Sequence, residues 1–344
     1  MSRPSHRRSR ELFLACAKVE ALEPRRLLAA GDLDPTFGEA GQVVADFEIA
    51  RDRADGVAVQ PADGKVLHTV QNLDGSTGVR RFNANGTVDS TFGLGGTALL
   101  SVTGAGIQRL NDVLVQADGR IIAGGVVGYT SGKYDMWVAR LTSTGALDTS
   151  FSGDGHAFAS FYNGAHAEVL DLVQQPDGKI LAGGIAGPAF GIARFHGSGA
   201  LDLSFDGDGR TAPQLPGTND SEIGGIALLD DGSIVAAGSA RLGTGPQSRT
   251  QFAVARYTPT GKLDVTFGGG DGVTYIKPGP PASNDVARDL AIQADGRIVV
   301  VGIVAPPNDY GLTELAAVRL QASGSLDTGF ASGGVYQDSS GRRI

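Results

Sequence analysis

The chain has 344 residues, 52 of them Gly, with 41% apolar and 19% charged side chains and a formal net charge of −8. That apolar content argues against disorder, and Gly without a G-X-Y period argues against collagen, so frequent turns between short strands are favoured over helices. The charge is uneven: residues 1–30 carry seven basic and three acidic groups and the remainder 22 and 34, so an acidic body disfavours a nucleic-acid partner.

Taken from the start, residues 1–30 read as a basic leader with a short apolar run from Leu12 to Ala17. No stretch of the chain reaches the ~18–20 apolar residues of a membrane span. Cys16, the one cysteine, lies in this leader, so the body can hold neither a disulfide nor a thiolate metal site. Leu22-Glu23-Pro24-Arg25-Arg26-Leu27-Leu28 resembles the LEPR-x-LL segment near the start of many large planctomycete surface proteins. The resemblance implies export and an extracellular or cell-surface location.

From residue 31 to 344 one unit recurs. Its first block is Asp-x-x-Phe followed by glycines: Asp34 and Phe37, Asp89 and Phe92, Asp148 and Phe151, Asp202 and Phe205, Asp264 and Phe267, Asp327 and Phe330. The second block is an Asp-Gly turn after an apolar run, with its glycine at Gly64, Gly119, Gly178, Gly232 and Gly296. The third is an apolar run ending in an arginine: Arg81, Arg140, Arg194, Arg256 and Arg319. From each arginine to the next Asp-x-x-Phe aspartate the step is eight residues in all five cases. Between the turn aspartate and the arginine it varies from 17 to 25 residues, as expected of one supersecondary unit with a single variable surface loop.

Each unit of about 55 to 60 residues predicts four short strands, the Asp-Gly pair closing the hairpin between the second and third. In the second unit these fall near 97–102, 111–116, 120–126 and 136–141. Four-stranded units at this period predict an all-β fold, a β-propeller of five blades, with a six-bladed or incompletely closed ring as the alternative. Units begin near 34, 89, 148, 202 and 264, with a partial unit from 327. Because the Asp-x-x-Phe block and its trailing strand occur six times, one of the segments 41–47 and 334–338 is surplus to five blades. The blocks LDxSFGxxG, QxDGKI and ALARY resemble the delta-60 repeat. That resemblance implies propeller architecture and secretion, and brings no established activity.

Chemistry is harder to find. The five histidines (His6, His68, His156, His166 and His196) show no zinc-binding spacing, although His156 and His166 could meet. No nucleophile elbow or phosphate loop occurs. Loops 152–155, 206–209 and 269–272 could offer oxygens to Ca²⁺, but Asp-Gly is turn chemistry and the spaced ligand pattern is absent. Five equivalent arginines argue for structure, through an inter-blade ion pair or a bond to strand ends, because catalysis needs one unique constellation. No catalytic, cofactor-binding or metal residue is therefore nominated. The expectation is an exported, monomeric, non-enzymatic scaffold or binding module for a protein or carbohydrate, contacting it through loops 127–135, 239–250 and 303–313. Alternatives are a hydrolase or lyase at the central channel, recognisable by unlike polar residues converging at one mouth, and calcium-dependent adhesion.

Overall fold

The computed structural model describes residues 37–39, 42–43, 55–72, 74–161, 165–243, 245, 248–306 and 313–338. The leader, Asp34, most of the 41–47 segment and part of loop 303–313 lie outside these residues. The described chain forms twenty strands in five antiparallel sheets and no helix. The first blade is β1 (Val57–Val59), β2 (Val66–Gln71), β3 (Thr77–Phe82) and β4 (Thr97–Leu100). The second is β5 (Ala105–Val115), β6 (Ile121–Tyr129), β7 (Tyr134–Leu141) and β8 (His156–Ala159). The third is β9 (Ala167–Gln174), β10 (Ile180–Ala186), β11 (Ala189–Phe195) and β12 (Arg210–Thr211). The fourth is β13 (Thr218–Leu228), β14 (Ile234–Leu242), β15 (Thr250–Tyr257) and β16 (Val273–Ile276). The fifth is β17 (Asn284–Ile292), β18 (Ile298–Ala305), β19 (Glu314–Leu320) and β20 (Val335–Gln337).

The sheets are offset from the repeat as it appears in sequence. The strand after each Asp-x-x-Phe block, expected to open a unit, instead pairs with the preceding arginine strand and closes that blade: β4 pairs with β3, and β8 with β7. The Asp-Gly turns form as expected. Their glycines adopt φ of 70–84°, which an L side chain rarely takes. Each turn aspartate accepts the N–H two residues on, as Asp118 does from Arg120.

Successive blades bury an apolar layer between them. There are four such layers, between blades 1 and 2, 2 and 3, 3 and 4, and 4 and 5. Trp137 lies in the first, fully buried. At the outer edge each layer is locked by the repeated arginine. Its Nε donates to the aspartate eight residues on at 2.7–2.8 Å. Its guanidinium also covers the ring of its own blade's phenylalanine at 4.4–5.0 Å. Its Nη1 reaches across to the next blade: Arg81 to Ser143 O at 2.7 Å, Arg140 to Gly197 O, Arg194 to Pro259 O at 2.6 Å, and Arg256 to Ala322 O at 3.0 Å. The ion pair is thus internal to a blade, and the inter-blade link is guanidinium to carbonyl.

Those carbonyls belong to a turn that ends in Gly86, Gly145, Gly199, Gly261 or Gly324, five residues after each arginine. In blades 2 to 5 the glycine packs on the preceding blade's phenylalanine so closely that a Cβ on Gly261 would fall 2.9 Å from the Phe205 ring. Phe92, Phe151, Phe205 and Phe267 are fully buried in this way. Arg319, among the described residues, has no carbonyl of a following blade, and its side chain is 23% exposed against 6% for Arg194. Removing a buried charge's partner costs about 3 kcal/mol, an exposed one about 1 kcal/mol or less. In urea melts followed by Trp137 fluorescence, Arg194→Ala should therefore destabilise by about 3 kcal/mol and Arg319→Ala by about 1 kcal/mol. Equal losses would refute the inter-blade role.

Candidate functional site

The innermost strand of blades 2 to 5 carries a β-bulge at the same place. Register shifts between Leu110 and Asp112, Val169 and Asp171, Ile223 and Gly225, and Ala287 and Asp289. Opposite each bulge stands Gly125, Gly184, Gly238 or Gly302, where a Cβ would fall 1.9–2.1 Å from the inner strand's carbonyl oxygen. A bulge bends the strand and re-aims its side chains. Here it groups Asp112, Asp171 and Asp289 at the propeller axis, close enough for their charges to interact. Blade 4 has Gly225 at this register, where a Cβ would meet Asp289 Oδ1 at 2.8 Å.

These carboxyls fasten neighbouring blades. Asp112 Oδ2 accepts Leu172 N at 2.9 Å, and Asp171 Oδ2 accepts Ile226 N at 2.6 Å. Burial pushes Asp112 up to about 6 against its backbone hydrogen bonds, and its carboxyl also hydrogen-bonds that of Asp171. Burial pushes Asp171 up to about 7, with the charges of Asp112 and Asp289 adding to the rise. The charge of Asp112 disfavours ionisation of Asp171, because like carboxylates at short range resist ionising together.

Three residues further towards the start of each inner strand the equivalent positions are occupied by Arg109, Glu168, Glu222 and Val286, four positions with three different chemistries. Glu168 is almost completely buried. Its Oε1 accepts Asn111 Nδ2 at 2.8 Å and Arg109 Nη2, while His166 Nε2 lies 3.0 Å from Oε2. Burial alone would raise this carboxyl, but the bonds from Arg109 and His166 outweigh it and hold it below the usual range. Glu222 is raised by burial, with Arg288 opposing and Asp220 and Glu168 adding to the shift. The His166 ring stacks flat on Tyr134, 4.9 Å away at 6°. That contact joins the start of β7 to the residue before β9. Similarly, Arg249 Nε donates to Ala282 O, joining the loop between β14 and β15 to the segment before β17. Loop 127–135 and the described part of loop 239–250 therefore stand at the same end of the propeller as Arg109, Glu168 and Glu222.

His156 and His166 do not meet. His156 Nδ1 accepts Trp137 Nε1–H at 3.1 Å, and His166 has the partners given above. Asp154, Asp208 and Asp271, in the loops considered for Ca²⁺, each accept the N–H two residues on. No group of three or more candidate metal ligands gathers among the described residues. Sequence reasoning missed the axial carboxyls and the Glu168 network. A signal was present: in blades 2 to 5 a glycine stands five residues after the residue that follows each Asp-Gly turn, and it marks the bulge.

A family described as "Domain of unknown function (DUF5122) beta-propeller" matches residues 69–92, 116–151, 175–205, 229–267 and 293–330, one segment in each blade. The chain is a β-propeller repeat protein. No curated protein matches it. Among solved structures the propeller is similar to an aldose sugar dehydrogenase from Streptomyces coelicolor in its PQQ-bound form. Identity there is 15% with TM-score 0.44, over 84% of this chain and 82% of that one. It is also similar to a Lactobacillus plantarum protein, at 15% identity and TM-score 0.47 over 81% and 70%. An exo-1,5-α-L-arabinanase from a bovine ruminal metagenomic library matches at 13% and 0.40 over 78% and 94%. These values transfer no activity to the propeller.

The axial carboxyls give the propeller a pH signature. Asp112 and Asp171 have folded pKa values above the ordinary 3.8, so their contribution is most favourable below about pH 4 and declines as pH rises to about 7. Asp148 is lowered chiefly by the Ser150 hydroxyl, and Asp264 by that of Thr266. Their stabilisation is present above the unfolded value and lost as pH falls through the folded one. Thermal melts should therefore peak near about pH 4 to 5 and decline towards about pH 7. Asp171→Asn should flatten that decline while keeping the acid limb; an unchanged slope would remove the axial pair as its cause.

Proposed function

We propose that the propeller is an exported, monomeric, non-enzymatic binding module whose recognition surface is its non-repeating end. The observation that supports this most directly is the network on Glu168, where Arg109, Asn111 and His166 converge in single copy beside Glu222 and Arg288. Donors and acceptors in that mixture suit a ligand rich in hydroxyl or amide groups, an oligosaccharide or a peptide, and the hairpin loops beside it supply a rim. In blades 1 to 4 the recurring arginines have their hydrogen-bonding capacity spent inside and between blades. The proposed cell-surface location rests on the leader.

One observation favours hydrolysis or elimination in the channel instead. On β9, Glu168 is held ionised while Asp171 is raised to about 7, a pair of carboxyls pushed towards opposite protonation states. Both oxygens of Asp171 are occupied by backbone N–H groups, which leaves binding the stronger reading.

An oligosaccharide and peptide array, with hits measured by calorimetry, should yield a ligand whose affinity falls about tenfold or more in Arg109→Ala and in Glu222→Gln. Undiminished affinity in both variants would displace the site from the mouth. Cleavage products in the mass spectrum of the recovered ligand would replace the binding reading with the enzymatic one.

A further inference from the structure

Each joint between blades repeats one arrangement. The residue after the blade's phenylalanine adopts a left-handed backbone and donates its N–H to the turn that follows the next blade's arginine. Gly93 N bonds Thr144 O at 2.9 Å, Ser152 N bonds Ser198 O at 2.7 Å, Asp206 N bonds Thr260 O at 2.8 Å, and Gly268 N bonds Ser323 O at 3.1 Å. A fifth bond of the same kind has a different source. The turn of blade 1 receives Gly38 N on Asn85 O at 2.8 Å, so the block at Phe37 sits where a preceding blade would sit.

Among the described residues, blade 5 presents the same seat with no turn bonded to it. Ala331 holds φ at 44°, alongside Ser152 at 56° and Asp206 at 48°. A left-handed alanine is costly unless something requires it, and no turn meets it among the described residues. Phe330 is only half-buried, unlike its four fully buried counterparts, although Arg319 covers its ring at 4.8 Å. The sheet faces that a fifth apolar layer would use are exposed on both sides. Val57, Val59 and Leu99 on blade 1 are 68%, 59% and 59% exposed, and Val301, Leu315 and Tyr336 on blade 5 are 37%, 42% and 46% exposed. Six seats thus compete for five turns. A cleft lined by Gly38, Glu39, Gln42, Val43 and Gly86 lies beside the block on blade 1.

We propose that the block at Phe37–Gly38 and the seat of blade 5 are alternative occupants of the Asn83–Gly86 turn of blade 1, and that the ring closes blade 5 onto blade 1 when the block leaves. In the closed state Ala331 N bonds Asn85 O, Arg319 gains its missing carbonyl, and the two exposed faces form the fifth layer. The device is a latch: the Phe37–Gly38 block, bonded to the turn of blade 1, holds the propeller open.

The test is a disulfide between Asn85→Cys and Ala331→Cys in a full chain carrying Cys16→Ser. Ser152→Cys with Ser198→Cys serves as the control for a joint already made. Gly38→Val releases the block, because its Cβ would fall 2.2 Å from Gln42 O at a φ of 59°. In that background the 85–331 disulfide should form within one chain at about ten times the parent's yield, and X-ray scattering should show a smaller radius of gyration. Equal yields with and without Gly38→Val, including none in either, would overturn the latch. So would a disulfide found only between two chains, which would make the seat an intermolecular contact.

Discussion

One guanidinium placement organises the propeller. The repeated arginine is held by an aspartate eight residues on and by the face of its own blade's phenylalanine, which leaves its remaining N–H groups aimed in a fixed direction. The next blade's turn carbonyl lies in that direction. Arginine suits this position and lysine would not, because a planar fork can satisfy a carboxylate, an aromatic face and a carbonyl at once while an ammonium cannot. The turn must then approach the aromatic ring with no side chain in the way, which explains a glycine five residues after every arginine. The glycine, the aromatic and the aspartate are consequences of that one charge having to be buried and fully bonded.

The same economy separates the two ends of the molecule. At the end that carries the Asp-Gly turns and the arginine joints, polar groups repeat and satisfy one another. Lys65, Arg120, Lys179 and Arg297 at those turns add ion pairs to the same aspartates, and blade 4 has Ser233 there instead. At the other end the bulge on the inner strands of blades 2 to 5 breaks the alternation of the sheet, and the side chains it directs to the axis differ from blade to blade. Variation is tolerated there because the repeated arginine joint does not depend on it. The axial carboxyls lie between the two regimes, since Asp112 and Asp171 fasten blades but Gly225 replaces them in the fourth.

How much of this was legible in sequence follows from that division. Short-range features were visible: the hairpin glycines, the eight-residue Arg–Asp step, the variable loop, and the five-blade count. The Arg–Asp pair was visible as a pair but its direction was not, because an ion pair within a blade and one between blades have the same spacing. Strand grouping was misread for a related reason. The repeat can be cut at any phase, and only hydrogen bonding shows that the strand after Phe92 closes a blade. The Glu168 network was invisible because its members lie on two blades, Glu168 standing 57 positions after Asn111, and none of them belongs to a repeated block.

Ring closure is decided by a count of chemical groups and not by propensity. Within the described residues there are six aromatic seats, Phe37 to Phe330, and five turns able to cover one, so no arrangement of this chain's own parts satisfies all six. A closed five-bladed ring leaves Phe37 uncovered; the arrangement observed leaves Phe330 half-buried and a pair of apolar faces in water. Among the described residues the block at Phe37 brings one hydrogen bond to the turn, whereas blade 5 would bring a hydrogen bond, a guanidinium–carbonyl bond and an apolar layer, so the two arrangements differ by the last two. The block at Phe37 has local sequence on its side, because it precedes blade 1 directly and closes a shorter loop. The balance between a short loop with a small contact and a long loop with a large one sets the state of the ring.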